Sequence, residues 1–99
     1  MGRRKITVKQ TAADNIAAVS WFIESKGLIA TAERFTDDVY DFFTRIADNM
    51  VSHSICRDPR RAMLGLRCIT FKKKYTVVFI ESRHELIVCE FILSKLIHW

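Results

Sequence analysis

Apolar and polar positions alternate near the start of the chain, with Ile6 and Val8 set against Lys5, Thr7 and Lys9. A period of two predicts a half-exposed strand over Arg4–Gln10. The period then lengthens. Ala12, Ile16, Val19 and Ile23 recur at steps of three and four, the stripe by which a helix faces a core, and Trp21 and Phe22 widen it. Thr11 is placed to cap this helix, Asp14 to answer its first-turn donors, and Gly27 to supply the left-handed residue that commonly ends one. Ala32, Phe35, Val39, Phe42, Ile46 and Met50 repeat at the same steps and predict a second, longer helix. The short connector between them predicts an antiparallel helical hairpin.

From Val51 to Ala62 the pattern dissolves into a loop that holds the single proline, Pro59. The period then returns to two. Met63–Phe71, Tyr75–Glu81 and Leu86–Leu93 are β-rich runs separated by Lys72-Lys73-Lys74 and by Ser82-Arg83-His84-Glu85, spacings that predict successive hairpins. Gly65 reads either as a bulge or close approach of backbone, or as an ordinary strand glycine. The order β-α-α-β-β-β predicts an α+β fold with the helical hairpin packed on one face of an antiparallel sheet. At 99 residues there is room for one core, so residues 1–99 are expected to form a single domain.

Composition excludes several classes. An apolar fraction of 49% with one Pro and three Gly argues against disorder and low-complexity scaffolds. No stretch approaches the ~20 consecutive apolar residues of a membrane span, and the basic N-terminus lacks an apolar signal region, so the cytoplasm is the expected compartment. The odd number of cysteines, Cys56, Cys68 and Cys89, suits a reducing compartment better than a disulfide framework. Cys68 and Cys89 read as small core residues in strands and Cys56 as a loop thiol. His53-x-x-Cys56 has a usable ligand spacing, but no second pair accompanies it, so neither a metal nor any other cofactor is expected.

The charge is unevenly placed. Through Met50 there are seven basic and seven acidic residues, and after it nine basic against four acidic, so the net +5 belongs to the second half. Arg57, Arg60, Arg61, Arg67, Lys72, Lys73 and Lys74 crowd one segment whose only acid is Asp58. If the loop folds back on the sheet, these seven make one surface for nucleic acid or another target. The plainer reading of the three lysines is that they solvate a hairpin turn and guard an edge, whereas forked guanidinium groups suit phosphate or carboxylate. Arg67, inside a strand, is a fixed cation for a ligand. Asp37, Asp38, Asp41 and Asp48 read as the solvated face of the second helix.

No G-x-S-x-G, P-loop, dinucleotide fingerprint or H-E-x-x-H occurs, which removes the large enzyme classes with short signatures. RNA cleavage by acid–base help and cationic stabilisation of the phosphate needs only a basic cluster and one or two groups titrating near neutrality. His53, His84, His98 and Tyr75 are the available groups. Their plainer readings are a solvated turn for His84 and a half-buried sheet residue for Tyr75.

Several stretches together resemble the RelE/ParE family of toxins from bacterial type II toxin–antitoxin modules. They are Ala32-x-x-Phe35 in the second helix, the strand with Arg67, the strand Lys73-Lys74-Tyr75-Thr76-Val77-Val78-Phe79, and a last strand running to Phe91-Ile92. The similarity spans about Lys5 to Ile92. It implies a compact toxin, neutralised by a cognate antitoxin that wraps it, acting either on DNA gyrase (ParE-like, not a nuclease) or on ribosome-bound mRNA as an endonuclease (RelE-like). Arg67 matches the family's sheet arginine, and Lys72, Lys73 and Lys74 can stand in for its other cations. Ser94-Lys95 stands where many nuclease relatives show His followed by basic residues, and His98 is the substitute base at an offset position. That departure puts the ParE-like reading ahead of the nuclease, with a non-catalytic nucleic-acid-binding module as a third reading. Phe43 and the segment Leu96-Ile97-His98-Trp99 are the candidate antitoxin contacts, against the alternative that both complete the core.

Overall fold

A computed structural model describes residues 4–48 and 53–97. Its elements are β1 (Lys5–Val8), α1 (Gln10–Ser25), α2 (Ile29–Asp48), α3 (Pro59–Met63), β2 (Arg67–Phe71), β3 (Tyr75–Glu81), β4 (Glu85–Leu93) and a closing 3-10 turn, Ser94–Leu96. The fold is α+β, as the order of periods implies. Met50 and Val51 lie outside the described residues, as do His98 and Trp99.

The four strands form one sheet in the order β1-β4-β3-β2. The β2–β3 and β3–β4 pairs are antiparallel hairpins. β1 instead lies parallel to β4, with Ile6 opposite Leu86 and Val8 opposite Val88, so the sheet is mixed rather than wholly antiparallel. The helical hairpin between β1 and the meander explains this. Two helices of opposite direction return the chain to the end of the sheet where it began, and the last strand then enters beside β1 in the same direction. A register shift between Val78 and Phe79 leaves Cys89 as the extra residue on β4, a bulge that increases local twist.

The core fills the space between the helices and one face of the sheet. Ile16, Phe35, Val39, Phe43 and Ile46 from the helices meet Phe71, Tyr75, Val77, Phe79, Leu86, Val88 and Phe91. Phe35 makes edge contacts with Phe71, Tyr75 and Phe91, while Tyr75 stacks on Phe91 with centroids 4.9 Å apart. The stripe of α2 rotates toward Phe43, which is fully buried, and leaves Phe42 half-buried. Phe43 therefore belongs to the core and not to an antitoxin contact. Trp21 and Phe22 do the reverse: they are 77% and 62% exposed, because the helix pairs through the Ala12–Ile16–Val19–Ile23 stripe and these two residues fall outside it.

Local differences from the sequence reading have simple causes. The first helix begins two residues earlier, with Lys9 and not Thr11 at the cap, and the Thr11 hydroxyl donates to the Cys89 carbonyl instead of capping. Gly27, at φ +81°, ends α1 as expected. Gly65, at φ +71°, closes α3 rather than sitting in a strand; Pro59 at the first helical position and Asp58 before it start that turn. β2 thus begins at Arg67, not at Met63.

Candidate functional site

The outer face of the sheet is open except where the segment after the helical hairpin folds across it. Ser54–Cys56 runs antiparallel beside β2, with Cys56 N–H donating to the Leu66 carbonyl, Cys68 N–H donating to the Ser54 carbonyl, and Ile55 opposite Arg67. This register covers the exposed edge of β2 and brings Cys56 and Cys68 to a Cα separation of 4.8 Å, where they form a disulfide. Cys56 is a buried, bonded cysteine and not a loop thiol, and the expectation of unpaired cysteines fails for this pair. Sequence spacing did not show it because the pairing depends on a loop docking against a strand. Cys56, Leu66 and Val78 make a second, small apolar cluster with Cys68 and Cys89 at its margin. Cys89 is the free thiol, and burial pushes it up, away from the thiolate. Among the described residues no group of three His, Cys, Asp or Glu is placed to hold a metal ion.

Folding back brings Arg57 and Lys73 together, but it spreads the rest of the basic segment among different neighbours and does not leave seven free cations. Arg61 donates to both oxygens of Glu90, from Nε at 3.0 Å and Nη2 at 2.7 Å, and to Asp58. The Glu90 bond first, and then Asp58, raise its already high proton affinity despite burial, so Arg61 is a structural cation that ties α3 to β4. Lys72 donates to Asp38 at 2.8 Å, linking the β2–β3 turn to α2. Arg67 donates to the His53 carbonyl at 2.6 Å and lies 3.9 Å from Glu81. Arg57, Arg60, Lys73 and Lys74 are exposed and make no ion pair among the described residues.

Two of these open cations share a cleft. Arg57 and Lys73 line a cavity of about 600 Å³ on the outer face, with the hydroxyls of Ser54, Thr70, Thr76 and Ser94 and the disulfide among its walls. The Thr76 and Ser94 hydroxyls bond each other at 2.8 Å. Lys72 and Lys73 both adopt left-handed backbone, at φ 52° and 61°, which is uncommon for side chains larger than Asn. Such a cleft can hold an anion by charge and hydroxyl donors. No histidine or tyrosine lines it among the described residues. Arg60 lines a separate apolar depression with Met63, Leu64 and Leu66.

The titratable cluster that sequence reasoning missed lies at the end of the sheet, next to the C-terminal end of α2. Glu81, with a side chain 6% exposed, accepts from Arg4 Nη1 at 2.9 Å and from the His53 backbone N–H at 2.7 Å, and its second contact with His53 is to ring Nδ1 at 3.0 Å. An ionised carboxylate only accepts, so the ring proton of His53 sits on Nδ1. Arg4 also donates to the carbonyls of Ile46 and Ala47, the C-terminal end of α2, where a cation complements the helix dipole. Burial alone would raise the Glu81 carboxyl, but the hydrogen bonds from His53 and then Arg4 outweigh it and hold it below the ordinary carboxylate range. Arg67, the sheet arginine, completes this cluster. The only hint in the sequence is an apolar strand, Tyr75–Ile80, that ends on a glutamate.

Of the remaining candidates, His84 is exposed in the β3–β4 turn and Tyr75 is buried. Leu96 is 64% exposed while Ile97 is buried. His98 and Trp99 are outside the described residues. No described helix is long and apolar enough to cross a membrane.

The sequence matches no protein-family model and no curated protein. The fold is similar to that of a chain of the chromosomal ParDE TA system from P. aeruginosa, with a TM-score of 0.73 and 13% sequence identity, covering 92% of this chain and 96% of that one. At that identity the likeness is one of fold, and it extends over nearly the whole of both chains.

Proposed function

We propose that this chain is the toxin component of a type II toxin–antitoxin module, held inactive by a cognate antitoxin, and that it acts in the ParE-like manner, by inhibiting DNA gyrase without cutting nucleic acid. The toxin reading is supported by two independent lines: the RelE/ParE-like residue pattern and the end-to-end likeness of fold to a ParDE chain. The non-nuclease branch is supported chiefly by one observation. The sheet arginine, Arg67, is turned into the His53–Glu81 cluster rather than left open to stabilise a phosphate.

One observation favours the RelE-like reading instead, the cleft in which Arg57 and Lys73 meet four hydroxyls. A phosphate fits that chemistry, but general acid–base cleavage also needs a titratable partner within reach, and among the described residues that line it the cleft has no histidine, tyrosine or carboxylate, only Lys73. Expression of the chain alone in a bacterium is expected to arrest growth, and co-expression of a short acidic protein from the adjacent reading frame to relieve it. Purified chain is expected to block plasmid supercoiling by gyrase and to create no new mRNA 5′ ends. Normal growth with soluble protein present refutes the toxin reading. Codon-positioned 5′ ends with unimpaired supercoiling refute the ParE-like branch.

A further inference from the structure

The outward side of α1 carries only two charges, the exposed carboxylates Asp14 and Glu24, fewer than a solvent-facing helix surface normally has. Between Gln10 and Ser25 there is no Lys or Arg, and Ala17, Ala18, Trp21 and Phe22 are all exposed. Phe22 does not stand alone. It forms one wall of a cleft of about 720 Å³ with Ala18, and Tyr75 and Leu93 of β3 and β4 form the other. Lys73, Lys74 and Lys95 line the same cleft, and none of the three makes an ion pair among the described residues. Lys73 is held there in left-handed backbone.

An apolar floor beside three open ammonium groups selects its occupant. A second copy of the chain, brought together about this cleft, would set six lysines against one another, an arrangement that like-charge repulsion disfavours. A strand would need an open sheet edge, which this cleft does not present. A helix suits it, because the small Ala18 wall permits close approach and Phe22 supplies an aromatic anchor. We propose that this cleft binds an acidic amphipathic helix of a partner protein, its apolar side on Ala18, Phe22, Tyr75 and Leu93 and its carboxylates on Lys73, Lys74 and Lys95. Identifying that partner with the antitoxin rests on the toxin reading above; the cleft chemistry does not.

The full chain is titrated against a fluorescent Leu/Glu amphipathic peptide of about 18 residues, long enough to hold a helix, and against its Leu/Lys twin, by anisotropy. The acidic peptide is expected to bind at least about tenfold tighter than the basic one, with an affinity that falls as salt rises. Phe22→Ala, at an exposed position that leaves the core intact, weakens binding about tenfold or more, whereas Trp21→Ala, outside the cleft, changes it less than about twofold. Lys73→Glu combined with Lys95→Glu reverses the preference between the two peptides. Equal binding of the twins, binding of neither, indifference to Phe22→Ala, or a chain dimer that Phe22→Ala dissociates each overturns the proposal. Growth arrest is scored separately. Arrest without peptide preference overturns the cleft and spares the toxin reading, and peptide preference without arrest does the opposite.

Discussion

Removal of the Glu81 carboxylate is expected to be among the most damaging single changes outside the hydrophobic core. Its side chain is 6% exposed, and it accepts three hydrogen bonds, from Arg4 and twice from His53, with Arg67 at 3.9 Å. These contacts join four segments that are distant in sequence: the residue before β1, the end of β3, the His53 loop and β2. Breaking a buried ionic cluster by deleting one partner costs roughly 3–5 kcal/mol, a large share of the ~5–15 kcal/mol that stabilises a small domain. Glu81→Ala is therefore expected to lose about that much in urea unfolding followed by circular dichroism at pH 7. Glu81→Gln keeps the shape and one acceptor oxygen and should lose about 1–3 kcal/mol. The two variants also differ from the native chain in acid. The folded carboxyl titrates below its unfolded value of about 4.3, so its contribution is complete above that pH and disappears as pH falls through the folded value. The native chain should show this acid limb and Glu81→Gln should lack that part of it, the two stabilities converging at low pH. An Ala variant that costs less than about 1 kcal/mol, or the same acid limb in the native chain and Glu81→Gln, would refute the account of the cluster.

Three further outcomes follow from the packing. Cys56→Ser with Cys68→Ser should lower stability by about 2–3 kcal/mol, a fall in Tm on the order of 10–20 °C, and a dithiol reductant should bring the native chain to the same melting point. Phe43→Ala should cost about 3–5 kcal/mol as a core truncation; native-like stability in a thermal melt would return Phe43 to the list of surface contacts. Arg61→Ala should cost about 1–3 kcal/mol and speed amide hydrogen exchange in Pro59–Met63, since Glu90 and Asp58 are what tie that helix to β4.

The sequence by itself determined what is periodic. Steps of two and of three-to-four placed the strands and both long helices, because each element must turn one side to the core, and that requirement is written locally. It also located the net charge in the second half and, through the residue pattern, the fold that the structural comparison bears out. What it did not contain was the partner of each polar group. Whether Arg61 is open to a ligand or closed on Glu90, and whether Arg67 faces solvent or the His53–Glu81 cluster, depends on residues tens of positions away, brought near only when the loop after α2 docks on β2. The Cys56–Cys68 bond and the parallel entry of β1 beside β4 were settled in the same way. Hence the candidate site changed more than the fold did: seven cations in the sequence became three tied and four open in the structure, since tertiary contacts, and not composition, decide which charges remain available to a partner.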